Sequence, residues 1–193
     1  MTILFEDVSK SYNGRKVINN LNFNIEDKKS YAFIGPEGCG KTTVLKLFMG
    51  LEKPDEGKIS RLGDYKYPTL QSSYVSQEGH LNAKKTPLWN VVKAHRSVSK
   101  GRAAEELIKL LPEDAIGQKV QDLPISMQRA VEIVRALSIP SDFIVLDEPF
   151  AGMNSEQIKI ALDYILNLQG SRPILIASRS DDNIEFAKRI PLL

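Results

Sequence analysis

The stretch Tyr31-Ala32-Phe33-Ile34-Gly35-Pro36-Glu37-Gly38-Cys39-Gly40-Lys41-Thr42-Thr43-Val44-Leu45-Lys46-Leu47-Phe48 decides how this chain of 193 residues is read. Its first four residues are an apolar run with the character of a buried strand. Its last five, with Leu51, place Val44, Leu47, Phe48 and Leu51 at helical spacing. Between them the pattern G-x-x-x-x-G-K-[ST] is complete from Gly35 to Thr42. Strand, glycine loop and helix, in that order, make the motif a phosphate-binding loop. Glycines let successive backbone N–H groups turn inward around an anion. The helix N-terminus adds the positive end of its dipole. The expected nucleotide-binding set is therefore Gly35, Pro36, Glu37, Gly38, Cys39, Gly40, Lys41, Thr42 and Thr43. Within it Lys41 reaches the β- and γ-phosphates, and the Thr42 hydroxyl is a ligand for Mg²⁺.

A second motif completes this chemistry. Phe143-Ile144-Val145-Leu146 reads as a strand buried on both faces of a parallel sheet, and Asp147-Glu148-Pro149 closes it. Ligands of such sheets bind beyond the carboxyl ends of the strands. Asp147 is thus placed to hold Mg²⁺ through its water shell. Glu148 is placed to orient or deprotonate an attacking water, with Lys41 beside the same phosphates.

Outward from these motifs, residues 2–8, 21–25, 57–62, 73–76 and 173–177 read as further strands, with a hairpin signal at Asn13-Gly14. Helices are expected over 102–111, 126–139 and 155–168, the second ended by Pro140. A last helix, capped by Asp181 or Asp182, is expected after the strand at 173–177. Trp89 is expected to pack in the core of the helical stretch around it. The alternation predicts an α/β fold: a mostly parallel sheet flanked by helices, with a small antiparallel N-terminal β part and a helical insertion. A single domain over 1–193 is expected, with 1–77 and 124–193 as the α/β core and about 78–123 as the helical subdomain.

Composition bounds the function. Charged residues make up 26% and net charge is +2, too little to argue for a nucleic-acid partner. The one cysteine, Cys39, forbids an internal disulfide and fits a reducing compartment. No apolar run reaches the length of a membrane span, and the acidic N-terminus lacks the basic start of a signal peptide. A soluble, cytoplasmic protein is expected.

With these motifs in place, the chain resembles the nucleotide-binding domain of ABC transporters over nearly all its length. Ser11-Tyr12-Asn13-Gly14 is similar to the opening turn whose aromatic residue stacks on adenine, a role that falls to Tyr12. Tyr74-Val75-Ser76-Gln77 is similar to the segment whose glutamine contacts Mg²⁺ and the attacking water, here Gln77. Pro149-Phe150-Ala151-Gly152-Met153-Asn154 resembles a loop at the family's dimer interface. The resemblance implies an ATPase subunit with ATP and Mg²⁺ as cofactors. It implies a homo- or heterodimer with a second ATP-binding subunit. It also implies a separate transmembrane permease that holds the protein at the inner face of the membrane.

Three positions depart from the family pattern. The signature Leu-Ser-Gly-Gly-Gln aligns with Leu123-Pro124-Ile125-Ser126-Met127. Pro124 lacks hydroxyl and N–H, Ile125 is bulky, and Ser126 is left as a partial contact to phosphate on the opposite subunit. Arg179 stands at the switch-histidine position; permanently charged, it can hold a γ-phosphate but not exchange protons. Asn154 replaces an interface aspartate. These departures leave an alternative open: a regulatory ATP-binding module with little hydrolysis, paired with an intact ATPase subunit.

Overall fold

The computed structural model describes residues 2–26, 28–62, 71–180 and 184–192, with the side chains at 61 and 62 left aside. Two long strands, β1 (Thr2–Tyr12) and β2 (Arg15–Glu26), form the N-terminal hairpin. Tyr12 pairs with Arg15 across Asn13 and Gly14, both at positive φ (+49° and +79°), as a two-residue turn matched to strand twist requires. The strands run well beyond the expected 2–8 and 21–25. Their distal halves are polar, and pairing rather than hydrophobic alternation holds them. β4 (Glu56–Leu62) pairs antiparallel with β1, giving a sheet ordered β2-β1-β4.

The second sheet is parallel, with order β5-β6-β7-β3-β8. Its strands are β3 (Tyr31–Ile34), β5 (Ser72–Val75), β6 (Phe143–Asp147), β7 (Ile174–Ser178) and β8 (Lys188–Pro191). Alternate residues feed opposite faces. Tyr31, Phe33, Phe143, Val145, Leu175 and Ala177 pack with α1 (Lys41–Met49) and the antiparallel sheet. Ala32, Ile144, Leu146, Ile174 and Ile176 face the other core, with α4 (Ile125–Leu137) and α5 (Ser155–Gln169). That core continues into the block formed by α2 (Pro87–Val92) and α3 (Lys100–Leu107) through Val91, Ala103, Leu107 and Leu111.

β8 is a correction. The described residues after β7 contain no helix, and 188–191 add a parallel strand beside β3, extended by the Leu192 N–H donating to the Ile34 carbonyl at 2.8 Å. The expected caps Asp181 and Asp182 lie outside the described residues. α3 ends at Leu107, short of the expected Leu111, and Asn154 caps α5 in a capping box with Gln157. Trp89 is not a core residue: it is 38% exposed, with the Lys85 ammonium 5.8 Å from its ring centre. No helix among the described residues is long and apolar enough to cross a membrane.

Candidate functional site

The phosphate loop links β3 to α1. Gly40 precedes the helix with φ +96°, and a Cβ there would lie 2.5 Å from Ile18 Cδ1 on β2. Both the left-handed backbone and the close approach demand glycine. Lys41 is 6% exposed; its ammonium donates to the carbonyls of Gly35 (2.7 Å) and Pro36 (2.9 Å) and lies 3.6 Å from Glu148 Oε1. The loop thus holds its own lysine at its centre.

β6 delivers the two acids. Asp147 is fully buried, and neither carboxyl oxygen has a hydrogen-bond partner. Burial pushes its carboxyl above the usual carboxylate range. The Thr42 hydroxyl, close by but outside hydrogen-bond geometry, opposes this, as do the Lys41, Lys46 and Arg129 charges. Glu148 turns out of the strand at φ +47°, its N–H donating to the Ala177 carbonyl at 3.0 Å. A non-glycine residue pays about 1–3 kcal/mol for such a backbone, a cost that concentrates at functional sites. Burial raises the Glu148 carboxyl too, against the Lys41 and Arg179 charges, while Asp147 adds to the rise.

Arg179 follows β7. Its guanidinium lies 3.8 Å (Nε) from Glu148 Oε1 and 3.0 Å (Nη2) from Glu37 Oε2, linking the acid of the sheet to the acid of the loop. Gln77 follows β5, and its Oε1 lies 3.4 Å from Thr42 Oγ1. Tyr12, at the end of β1, donates its hydroxyl to the Glu52 carboxylate and is 38% exposed.

Tyr12, Glu37, Gly38, Gly40, Lys41, Thr42, Thr43, Gln77, Glu148 and Arg179 line one open cavity of about 360 Å³. Residues from five separate stretches of sequence meet there: Tyr12, residues 37–43, Gln77, Glu148 and Arg179. Gly35 and Pro36 contribute the carbonyls that hold Lys41 rather than the cavity wall. Cys39 packs against the loop: a Cβ on Gly35 would lie 2.7 Å from its Sγ. Ser126 is elsewhere, in the first turn of α4 beside a small separate cleft against α5. The sequence reading missed Val17, which lines the cavity from β2 without any motif to mark it. It also missed Arg129 and Glu132, which hold the backbone around Gln77. Glu132 lies within the apolar run Val131-Ile133-Val134, and that break in helical patterning was the available signal.

The donor set fits Mg²⁺. That ion takes hard oxygen ligands and is held by one or two carboxylates together with substrate phosphates. Thr42 offers a hydroxyl, Gln77 an amide oxygen and Asp147 a carboxyl whose oxygens have no protein partner. A buried carboxyl left in that state calls for a cation or water.

A parallel sheet with a phosphate loop, strand-end acids and an antiparallel sheet laid against α1 defines an ATP-binding cassette fold. The chain belongs to the ABC transporter family, whose model matches residues 18–151. It is 32% identical over 206 residues to the carnitine transport ATP-binding protein OpuCA of Listeria monocytogenes, covering 98% of this chain and 52% of that protein. It is 32% identical over 203 residues to the Fe(3+) ions import ATP-binding protein FbpC 3 of Rhodococcus jostii, covering 97% and 58%. The chain therefore spans little more than half the length of these curated relatives. Among solved structures it matches, at TM-score 0.83 and 24% identity, an ATP-binding cassette described as a dimer in a post-hydrolysis state bound to ADP and Pi, covering 98% and 94%.

Proposed function

We propose that this chain binds and hydrolyses Mg²⁺-ATP and, as one half of a head-to-tail pair of cassettes, drives a separate membrane permease. The observation that carries the reading is Asp147, buried without a hydrogen-bond partner beneath Thr42 and Lys41. The loop amides and Lys41 bind the phosphates, and Tyr12 stacks on the adenine. Thr42, Gln77 and Asp147 would hold Mg²⁺, the aspartate through water. The bound ion supplies neutralisation of charge on the β- and γ-phosphate oxygens. Glu148, already set back toward Lys41, orients the attacking water and takes its proton. Its raised carboxyl makes it a better proton acceptor than an ordinary glutamate. Arg179 exchanges Glu37 and Glu148 for the γ-phosphate. Ser126 contacts phosphate on the opposite subunit. The block at 78–123 acts as a helical subdomain, and the permease holds the protein at the inner face of the membrane.

The relatives' names support transport, and the dimeric neighbour supports pairing. A second reading, a regulatory module beside an intact ATPase, is favoured by the start of α4. Pro124 caps it without a side-chain hydrogen bond, and Ile125 is 53% exposed there.

Glu148→Gln tests the chemistry, because it keeps shape and removes the proton acceptor. ATP binding should persist while turnover falls about a hundredfold or more, the usual worth of a general base. Steady-state phosphate release and nucleotide calorimetry read the two effects separately. Unchanged turnover would remove Glu148 from the mechanism. No turnover in the unaltered chain, alone or with a partner cassette, would favour the regulatory reading.

A further inference from the structure

Gln77 sits in a tight turn, Ser76 to Gly79, closed by the Gly79 N–H donating to the Ser76 carbonyl (3.3 Å) and hydroxyl (3.0 Å). That turn is tied to α4 at both ends. At its entry, the Arg129 guanidinium donates to the Ser76 carbonyl at 2.7 Å and to the Gln77 carbonyl. At its exit, the Glu132 carboxyl accepts the His80 N–H, and a Cβ on Gly79 would lie 3.1 Å from the same Oε1. Arg129 is 7% exposed and Glu132 2%. Arginine and glutamate are almost never buried to this degree unless paired, and here their partners are backbone groups of the Gln77 turn.

Two details separate a positioning role from plain stabilisation. Arg129 Nε and Glu132 Oε2 remain without hydrogen-bond partners, which a helix selected for stability alone would avoid. A cavity of about 290 Å³, bordered by Gln77, Glu78, Arg129 and Glu132, also lies between the turn and α4. Hydrogen bonds at both ends of the turn, with Gly79 close against Glu132, are what hold it to the helix beside that cavity. The side chain of Gln77 is the part left to reach Thr42, at 3.4 Å.

We infer that Arg129 and Glu132 are positioning residues that clamp the Gln77 turn to α4, so that the placement of α4 sets the Gln77 amide at the metal–phosphate site. The inference rests on the reading of the cavity as a Mg²⁺-ATP site. It ties the phosphate-loop end of one site to the helix that carries Pro124, Ile125 and Ser126 at its other end.

The test uses the full chain and a non-hydrolysable ATP analogue, titrated with and without Mg²⁺, together with amide hydrogen exchange. Arg129→Met and Glu132→Met should each reduce, by about tenfold, the factor by which Mg²⁺ tightens analogue binding, the scale of one lost hydrogen bond to a charged group. Metal-free binding should stay at the parent value. His80 amide exchange should quicken in Glu132→Met, and Glu132→Gln, which keeps the acceptor oxygen, should restore both readouts. If the methionine variants do not fold, Arg129→Lys, with a single ammonium for two carbonyls, should give the same split at smaller size. Folded variants with the parent Mg²⁺ enhancement and parent exchange at His80 would overturn the clamp. Absence of any Mg²⁺ enhancement in the unaltered chain would overturn the Mg²⁺-ATP reading itself, and the clamp's role with it.

Discussion

α1 and α4 start in the same unusual way and arrive at different surfaces. α2, α3 and α5 are closed by side-chain caps from Thr86, Ser99 and Asn154. α1 and α4 have no side-chain cap, so their first N–H groups are left for something else. At α1 the flanking residue is Gly40, and Lys41 and Thr42 line the phosphate-loop cavity, with Asp147 fully buried near them. At α4 the flanking residue is Pro124, and the exposed Ile125 lies over Gly152, where an added Cβ would be 2.3 Å from its Cγ2. Free amide donors and a helix dipole are common to both ends. Only α1 also offers close approach and a neighbouring cation. A phosphate grip needs all of these, so in the proposed pair of cassettes α1 would be the strong half of the site and α4 the weak one.

Removing the cation at the strong end should have the largest effect. Lys41→Ala deletes the ammonium that the Gly35 and Pro36 carbonyls hold in place. Loss of one or more charge-assisted bonds should weaken Mg²⁺-ATP binding about a hundredfold, measured by calorimetry. Unchanged affinity would erase the contrast between the two helix starts.

Repairing the weak end should narrow the contrast. Pro124→Ser with Ile125→Gly restores a hydroxyl and an N–H and removes the side chain over Gly152. ATP-dependent dimerisation, followed by light scattering, should tighten about tenfold, the scale of one hydrogen bond to a charged group. Brisk, cooperative turnover by the unaltered chain alone would show instead that Ser126 and Arg179 already suffice.

The smallest effect concerns stability. Asp147 carries a raised carboxyl because it is buried, so the folded state holds its proton more readily than the unfolded state does. That contribution is fully present below the unfolded pKa of about 4 and is lost as pH rises through the raised folded value. Asp147→Asn should therefore raise the Tm of the nucleotide-free protein at neutral pH by about 2–4 °C for each kcal/mol relieved. The gain should shrink as pH falls toward 4, and Mg²⁺-ATP should stabilise the variant less than the parent. A lower Tm at neutral pH, in calorimetric scans, would show that the aspartate is not an electrostatic burden before nucleotide binds.

Local chemistry made much of the site readable in advance. Gly35 to Thr43 and Asp147-Glu148 carry their meaning in consecutive residues, because a glycine turn and a strand end impose their geometry over a few bonds. The hairpin was underestimated at residues 9–12 and 15–20, where polar side chains hide strands held by pairing. The final segment was misread as a helix because its strand character comes from β3, more than 150 residues away in sequence by the register Tyr31 to Lys188. Trp89 was misplaced because apolar character does not say which face of a short helix meets the core.

The sequence alone determined the class of fold, the phosphate loop, the strand-end acids and the three departures, at the segment with Pro124 and Ile125, at Arg179 and at Asn154. Each depends on residue type and short-range spacing, which the chain carries wherever it folds. Tertiary structure alone decided that Arg179 joins Glu37 to Glu148, that Gln77 meets Thr42, and that Arg129 and Glu132 hold the Gln77 turn from α4. Those contacts join residues 31 to 142 positions apart in the chain. Distances of that kind are set by how the sheets and helices stack, and no local propensity encodes them.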